Sequence, residues 1–260
     1  MFSMLSMHSM LSVFSSHSAF VWGLVAAVFV AAGVVKGVIG LGLPTLSMAL
    51  LALWMPPAEA AALLIVPSLV TNVWQLRPWR SVVPIARRLS GMQLGIVAGT
   101  LAGGWWFGAP AGAGATIALG AALAAYAAWG LLGRSVHVSK QSQRWLGPVT
   151  GALTGAVTAL TGVFVLPAVI YLQALDLSRD ELIQAMGLSF TTSTVALAVA
   201  LADQHGYSAP LAGASLAMLV PALCGMAVGQ KVRSRLSMQI FRRCFFIGLA
   251  LLGAYMIARG

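Results

Sequence analysis

One feature constrains this chain above all others. A long apolar segment, cut near its middle by glycine and proline, occurs twice. The first copy runs from Phe20 to Trp54 and is interrupted over Lys36-Gly37-Val38-Ile39-Gly40-Leu41-Gly42-Leu43-Pro44. The second runs from Leu146 to Leu175 and is interrupted over Thr158-Ala159-Leu160-Thr161-Gly162-Val163-Phe164-Val165-Leu166-Pro167. Each is too long for a single ordinary membrane helix, which needs about 20 residues to cross a hydrocarbon core of about 30 Å. Corresponding broken segments in two halves of a membrane protein point to a substrate site where the halves meet.

Composition agrees with a membrane location. Hydrophobic residues make up 60% of the chain and charged residues 8%, against about 25% charged in a soluble domain. Ten apolar pieces can be read: 20–35, 44–54, 58–76, 90–107, 113–133, 146–162, 164–175, 182–202, 208–229 and 244–258. No soluble domain fits between them. The expected partners are the lipid bilayer and a small anion substrate. The net charge of +10 is no nucleic-acid signal. The basic residues sit in three short loops, the pattern of positive-inside topology, and place the chain as a multi-pass protein of the inner (plasma) membrane. The Ser- and Met-rich start lacks a basic n-region and reads as a leader, not a signal peptide. His8 and His17 fall in it. Cys224 and Cys244 match no metal or redox spacing, and no cofactor or metal is expected.

The duplication is positional. Thr71 follows Pro44 by 27 positions, and Thr194 follows Pro167 by 27. Glu59 and Glu181 agree to within one residue in that frame, each at the start of a long helix where a carboxylate favours the N-terminus. The domain reading is a leader at 1–19, a first membrane repeat at 20–133, a cytoplasmic linker at 134–145 and a second repeat at 146–260. Charge placement bears on topology. The loop after the second long helix carries Arg77, Arg80, Arg87 and Arg88, while its counterpart at 203–207 has no Lys or Arg. The next pair reverses this, with Lys231, Arg233, Arg235, Arg242 and Arg243 in the second half only. If each broken segment crosses once, these loops fall on opposite sides. If each is a re-entrant hairpin, all fall on the cytoplasmic side. The expected fold is therefore an all-α polytopic membrane protein of two homologous halves. Each half has a Gly/Pro-broken, re-entrant segment and three long helices, and an inverted repeat is favoured over a parallel one. The hairpins are expected to meet near the midplane, where irregular backbone is tolerated if it lines a cavity.

Enzyme motifs are absent: there is no phosphate loop, H-E-x-x-H, G-x-S-x-G or C-x-x-C. The chain reads as a transporter and not an enzyme. Lys36 is the sharpest candidate, an ammonium after 16 apolar residues. It either contacts an anion in a cavity or snorkels to the headgroups. Gly40, Gly42 and Gly162 permit unwound backbone. Pro44 and Pro167 suit the first turns of helices whose N-termini favour anions. Thr45 and Thr161 add hydroxyls beside the breaks. Ser68, Thr71, Asn72 and Gln75 share one helix face, with Thr191 and Thr194 at matching depth in the second half; all can bind an oxyanion or bond between helices. Glu59 is the carboxylate best placed for proton coupling. Gly91, Gly95, Gly99 and Gly103, with Gly147, Gly151 and Gly155, signal close helix packing and leave a homo-oligomer open without defining one.

Three stretches carry a family resemblance. They are Gly37 to Thr45, Pro56-Pro57-Ala58-Glu59-Ala60-Ala61, and Pro67-Ser68-Leu69-Val70-Thr71-Asn72-Val73-Trp74-Gln75. Together they resemble the TauE/SafE sulfite exporter family, and Gly162 to Thr194 and Gly229 to Tyr255 look similar to its second repeat. The family's run of adjacent glycines in the first break is here Gly40-Leu41-Gly42. The resemblance implies transport of a small sulfur-containing anion such as sulfite or an organosulfonate, and an inside-negative potential favours its movement outward, as an exporter. Two rivals stand beside it: a permease for a neutral or cationic solute, and a membrane accessory subunit without transport.

Overall fold

A computed structural model describes residues 18–133, 136–204 and 206–259. The leader up to residue 17 lies outside them. The described residues fold into α1 (Ser18–Ile39), α2 (Leu43–Leu51), α3 (Pro57–Trp74), α4 (Val82–Arg88), α5 (Ser90–Phe107), α6 (Gly112–Leu132), α7 (Lys140–Thr161), α8 (Ala168–Gln173), α9 (Arg179–Asp203), α10 (Ala209–Val232) and α11 (Met238–Arg259), with 3-10 turns at Trp79–Ser81 and Arg233–Arg235. No strand occurs among the described residues. Six helices are long and apolar enough to cross a membrane: α1, α3, α6, α9, α10 (extended to Arg235) and α11. Helices α5 and α7 are long as well, but glycines and polar residues dilute them. The protein is an all-helical, multi-pass membrane protein.

Glycine sets how the interior helices pair. A Cβ on Gly33 would lie 2.3 Å from the carbonyl oxygen of Ala222, and one on Gly37 2.3 Å from that of Met226. Conversely, Gly225 faces the Val30 carbonyl and Gly229 that of Val34. Both registers advance together, so α1 and α10 run parallel in backbone contact. Helices α5 and α7 repeat the device: Gly95 and Gly99 face the carbonyls of Pro148 and Ala152, and Gly151 and Gly155 face those of Met92 and Ile96. Without a side chain at these positions the backbones approach closely, which substitutes for hydrophobic driving force in lipid. Gly37, expected within the first break, is thus part of a helix and a packing residue.

Hydrogen bonds gather the connections at two ends. At the basic end, Arg88 donates to the Leu175 carbonyl at 2.9 Å, Val138 N–H to Ala174 O at 2.9 Å, and Gln184 Nε2 to Pro78 O at 3.0 Å. At the other end, Ala58 N–H donates to Pro110 O and Arg259 to Leu53 O, both at 3.1 Å. The first broken segment turns back at Gly40–Gly42 and leaves beside Leu53, away from the basic loops. The second starts at Lys140, turns at Gly162 and returns to the basic end at Ala174.

The turns have local causes. Gly40 and Gly42 hold φ of +79° and +105°, and Gly162, which caps α7, holds +69°. These are left-handed values that glycine adopts freely. Pro44 lies in the first turn of α2. Pro67, by contrast, lies inside α3 and gives the Leu63 carbonyl no N–H; Ser215 of α10 donates to that carbonyl at 2.9 Å instead.

Candidate functional site

Lys36 sits in the last turn of α1 and is 3% exposed. Helix α10 covers this end of α1 through Gly37, and α3 supplies its partner: Lys36 Nζ donates to Asn72 Oδ1. Among the described residues the ion pair present is His137–Asp176 on the surface, so no carboxylate neutralises Lys36. One turn further, Gln75 Nε2 donates to the Gly40 carbonyl at 2.6 Å and ties the unwound backbone to α3. Asn72 Nδ2 and Gln75 Oε1 are buried without a partner. Lys36, Gly40 and Gln75 line a cavity of about 370 Å³ together with Trp74, Arg77 and Arg233. Arg77 itself lies 4.0 Å over the Trp74 ring.

The hydroxyls sort into two groups. A hydroxyl has one proton to donate. Thr71 gives its proton to Pro67 O, Thr161 to Val157 O, Thr191 to Gly187 O and Thr194 to Phe190 O, at 2.6–2.7 Å, each four residues back in its own helix. They accept but do not offer a free proton. Thr45 and Ser68, in contrast, are fully buried and their oxygens have no partner. Ser193, which neighbours Thr194 in the polar stretch of the second half, joins them, as do Ser47 and Thr100, which the sequence did not single out. Their signal was a hydroxyl inside an apolar run, the same signal the self-bonded threonines give.

The expected residues do not form one constellation. Lys36, Gly40, Asn72 and Gln75 come together. Gly162 lies elsewhere: a Cβ there would meet Met48 Cε at 2.9 Å and Ala61 Cβ at 3.2 Å. Ala61 and Gln75 are 14 positions apart on α3, or about 21 Å at 1.5 Å per residue, so the breaks turn at different depths and do not meet tip to tip. Gly42 packs toward Val35 and Phe245. Helix α8, of six residues, is too short to offer the anion-binding N-terminus expected after Pro167. Glu59 stands half-buried in the first turn of α3, 13 positions from Asn72 and so about 20 Å along the axis. Glu181 forms a capping box with Ser178, its carboxylate accepting from Ser178 N–H at 2.8 Å.

The bundle of apolar helices thus encloses a buried lysine without a carboxylate partner and several buried polar atoms without partners. A family model described as Sulfite exporter TauE/SafE matches residues 25–256. The chain belongs to the TauE/SafE family of sulfite exporter-like membrane transporters. Neither the curated proteins nor the solved structures gave a match.

Proposed function

We propose that this protein exports a small sulfur-containing oxyanion, sulfite or an organosulfonate, across the inner (plasma) membrane, and that Lys36 is its principal contact. The observation that carries this reading is the ammonium of Lys36, buried without a carboxylate in the wall of a cavity. An unpaired buried charge is costly, and an anion at the site offsets that cost. The neutral amide of Asn72 orients the ammonium through Oδ1, and its fully buried Nδ2 has no partner in the protein. Ser68, four residues before Asn72 on α3, also has a buried hydroxyl without a partner and offers the solute a further donor.

The basic loops mark the cytoplasmic side, and the two broken segments open toward opposite sides, as halves related by an inverted repeat would. Export then needs no coupling ion: an inside-negative potential favours exit by about 2.3 kcal/mol per charge per 100 mV. Flux into or out of liposomes, measured for sulfite, thiosulfate, sulfoacetate and taurine, tests the reading. The anions should move and saturate, ahead of zwitterionic taurine. Taurine outrunning all three would favour a permease for neutral solutes.

A further inference from the structure

A second cavity, of about 270 Å³, lies at the basic end between the first break and the ends of α6, α9 and α11. Arg179, Arg233 and Arg242 line it, with Gln173 and Trp129. No carboxylate lines it, and none pairs with these arginines among the described residues. It is continuous in its lining with the Lys36 cavity: Gly40, Ile183 and Arg233 belong to both walls.

Helix dipoles do not account for all three cations. Arg233 follows the C-terminus of α10, where a cation suits the helix dipole. Arg179, however, opens α9, and Arg242 is the fifth residue of α11. Arg179 stands at the end of a helix whose dipole disfavours a cation, and Arg242 lies past the first turn, where the dipole gives it no support. Asp180 and Glu181 follow Arg179 in the first turn of α9 but are not part of the cavity wall, and Glu181 is committed to its capping box. Arg242 rests 5.7 Å over the Phe246 ring, and no hydrogen bond or carboxylate partner holds it among the described residues.

We propose that this cavity is a recruiting station for a soluble oxyanion on the cytoplasmic side, and that Arg233, common to both walls, hands the anion to Lys36. The hand-over rests on the reading of Lys36 as the anion contact; the station itself does not. A cleft lined by one sign of charge concentrates counter-ions and speeds their capture by about 10 to 1,000-fold, with strong dependence on ionic strength. Arginine suits the task, because its fork of donors matches an oxyanion while leaving the charge fixed.

The test uses the full chain in nanodiscs of zwitterionic lipid, titrated with sulfite. Trp129 in the wall supplies the signal. A saturable change in tryptophan fluorescence is expected that disappears in Trp129→Phe. Combined Arg179→Gln, Arg233→Gln and Arg242→Gln should weaken it by about tenfold or more. The corresponding three lysine substitutions should keep most of it, which controls for misfolding. In liposomes the glutamine variant should raise half-saturation for sulfite only when sulfite is presented on the basic side. Absence of a Trp129 signal, or a signal indifferent to the charges, overturns the proposal. A charge effect that appears only when acidic lipid is added assigns the cavity to lipid headgroups and overturns it equally. Lys36→Gln separates the two claims. A normal Trp129 signal with normal flux would leave the station standing and remove Lys36 from the path. A flux lost in Lys36→Gln, with no response to the arginine variants, would do the reverse.

Discussion

Lys36 on α1 donates to Asn72 on α3, and the donor half of that same Asn72 amide has no partner. The pair joins the break-bearing helix to the helix that backs it, and Lys36 lies in the cavity wall with the fully buried Asn72 as its partner. Replacing Asn72 by Asp should therefore be more harmful than replacing it by Ala. A carboxylate there would form an ion pair with Lys36, worth about 4 kcal/mol at 4 Å for an effective dielectric of 20, and would repel an incoming anion. Asn72→Asp is expected to reach the membrane in normal amount with anion flux near background, while Asn72→Ala retains a fraction. Flux in Asp at or above that in Ala would count against an anion at this position.

Gln75 holds the Gly40 carbonyl, so Gln75→Leu leaves a part-buried acceptor without its partner. A stranded group costs about 1–3 kcal/mol. The expected result is a lower unfolding temperature in detergent together with flux reduced about tenfold, because the unwound turn loses its tether. Unchanged flux would make the tether purely structural.

Glycines at the breaks and at the helix contacts should respond differently to alanine. At Gly40 the space for a Cβ is open, and the cost is the left-handed backbone, about 1–2 kcal/mol. At Gly37 the Cβ would meet the Met226 carbonyl at 2.3 Å. Gly40→Ala should give a folded protein with altered flux. Gly37→Ala should destabilise the α1–α10 pair and lower membrane yield. Gly42→Leu and Gly162→Leu combine both penalties, so loss of flux in them carries meaning only where the protein still folds. Thermal unfolding of the four variants checks the order.

How much of this was legible in the sequence differs by element. The two breaks and the three long helices after each followed from apolar run length and from glycine and proline, which act locally, and Lys36, singled out by its place after an apolar run, is indeed buried. The partner of Lys36 did not follow, because α1 and α3 meet through the turn at Gly40 and not through sequence spacing. Nor did the fate of the hydroxyls: Thr71 and Ser68 look alike on one helix face, yet Thr71 returns its proton to Pro67 O and Ser68 keeps its own free. The different depths of the two breaks escaped as well, since a 27-residue frame fixes positions along the chain and not heights in the bundle. Accordingly, Ser68→Ala should lower flux by several-fold, whereas Thr194→Val, whose hydroxyl is spent on Phe190 O, should change it little.

Sidedness is open to direct labelling. Ser81 and Ser234 lie in or beside the basic loops and are exposed or half-exposed. Cysteines placed there, in a chain with Cys224 and Cys244 replaced, should both resist an impermeant thiol reagent added outside intact cells. Labelling of one and not the other would put the basic loops on opposite sides.

The most direct test of the central claim is initial sulfite flux in liposomes for Lys36→Gln, at matched protein and across a range of concentrations. Glutamine keeps similar length and hydrogen-bonding ability while removing the charge. Flux is expected to fall by about tenfold or more, with weakened half-saturation, as the loss of a charged hydrogen bond of about 1.5–3 kcal/mol implies. Lys36→Arg should recover part of it, limited by the different donor geometry. Rate and half-saturation in Lys36→Gln equal to those of the unaltered protein would contradict the account and exclude Lys36 as the anion contact.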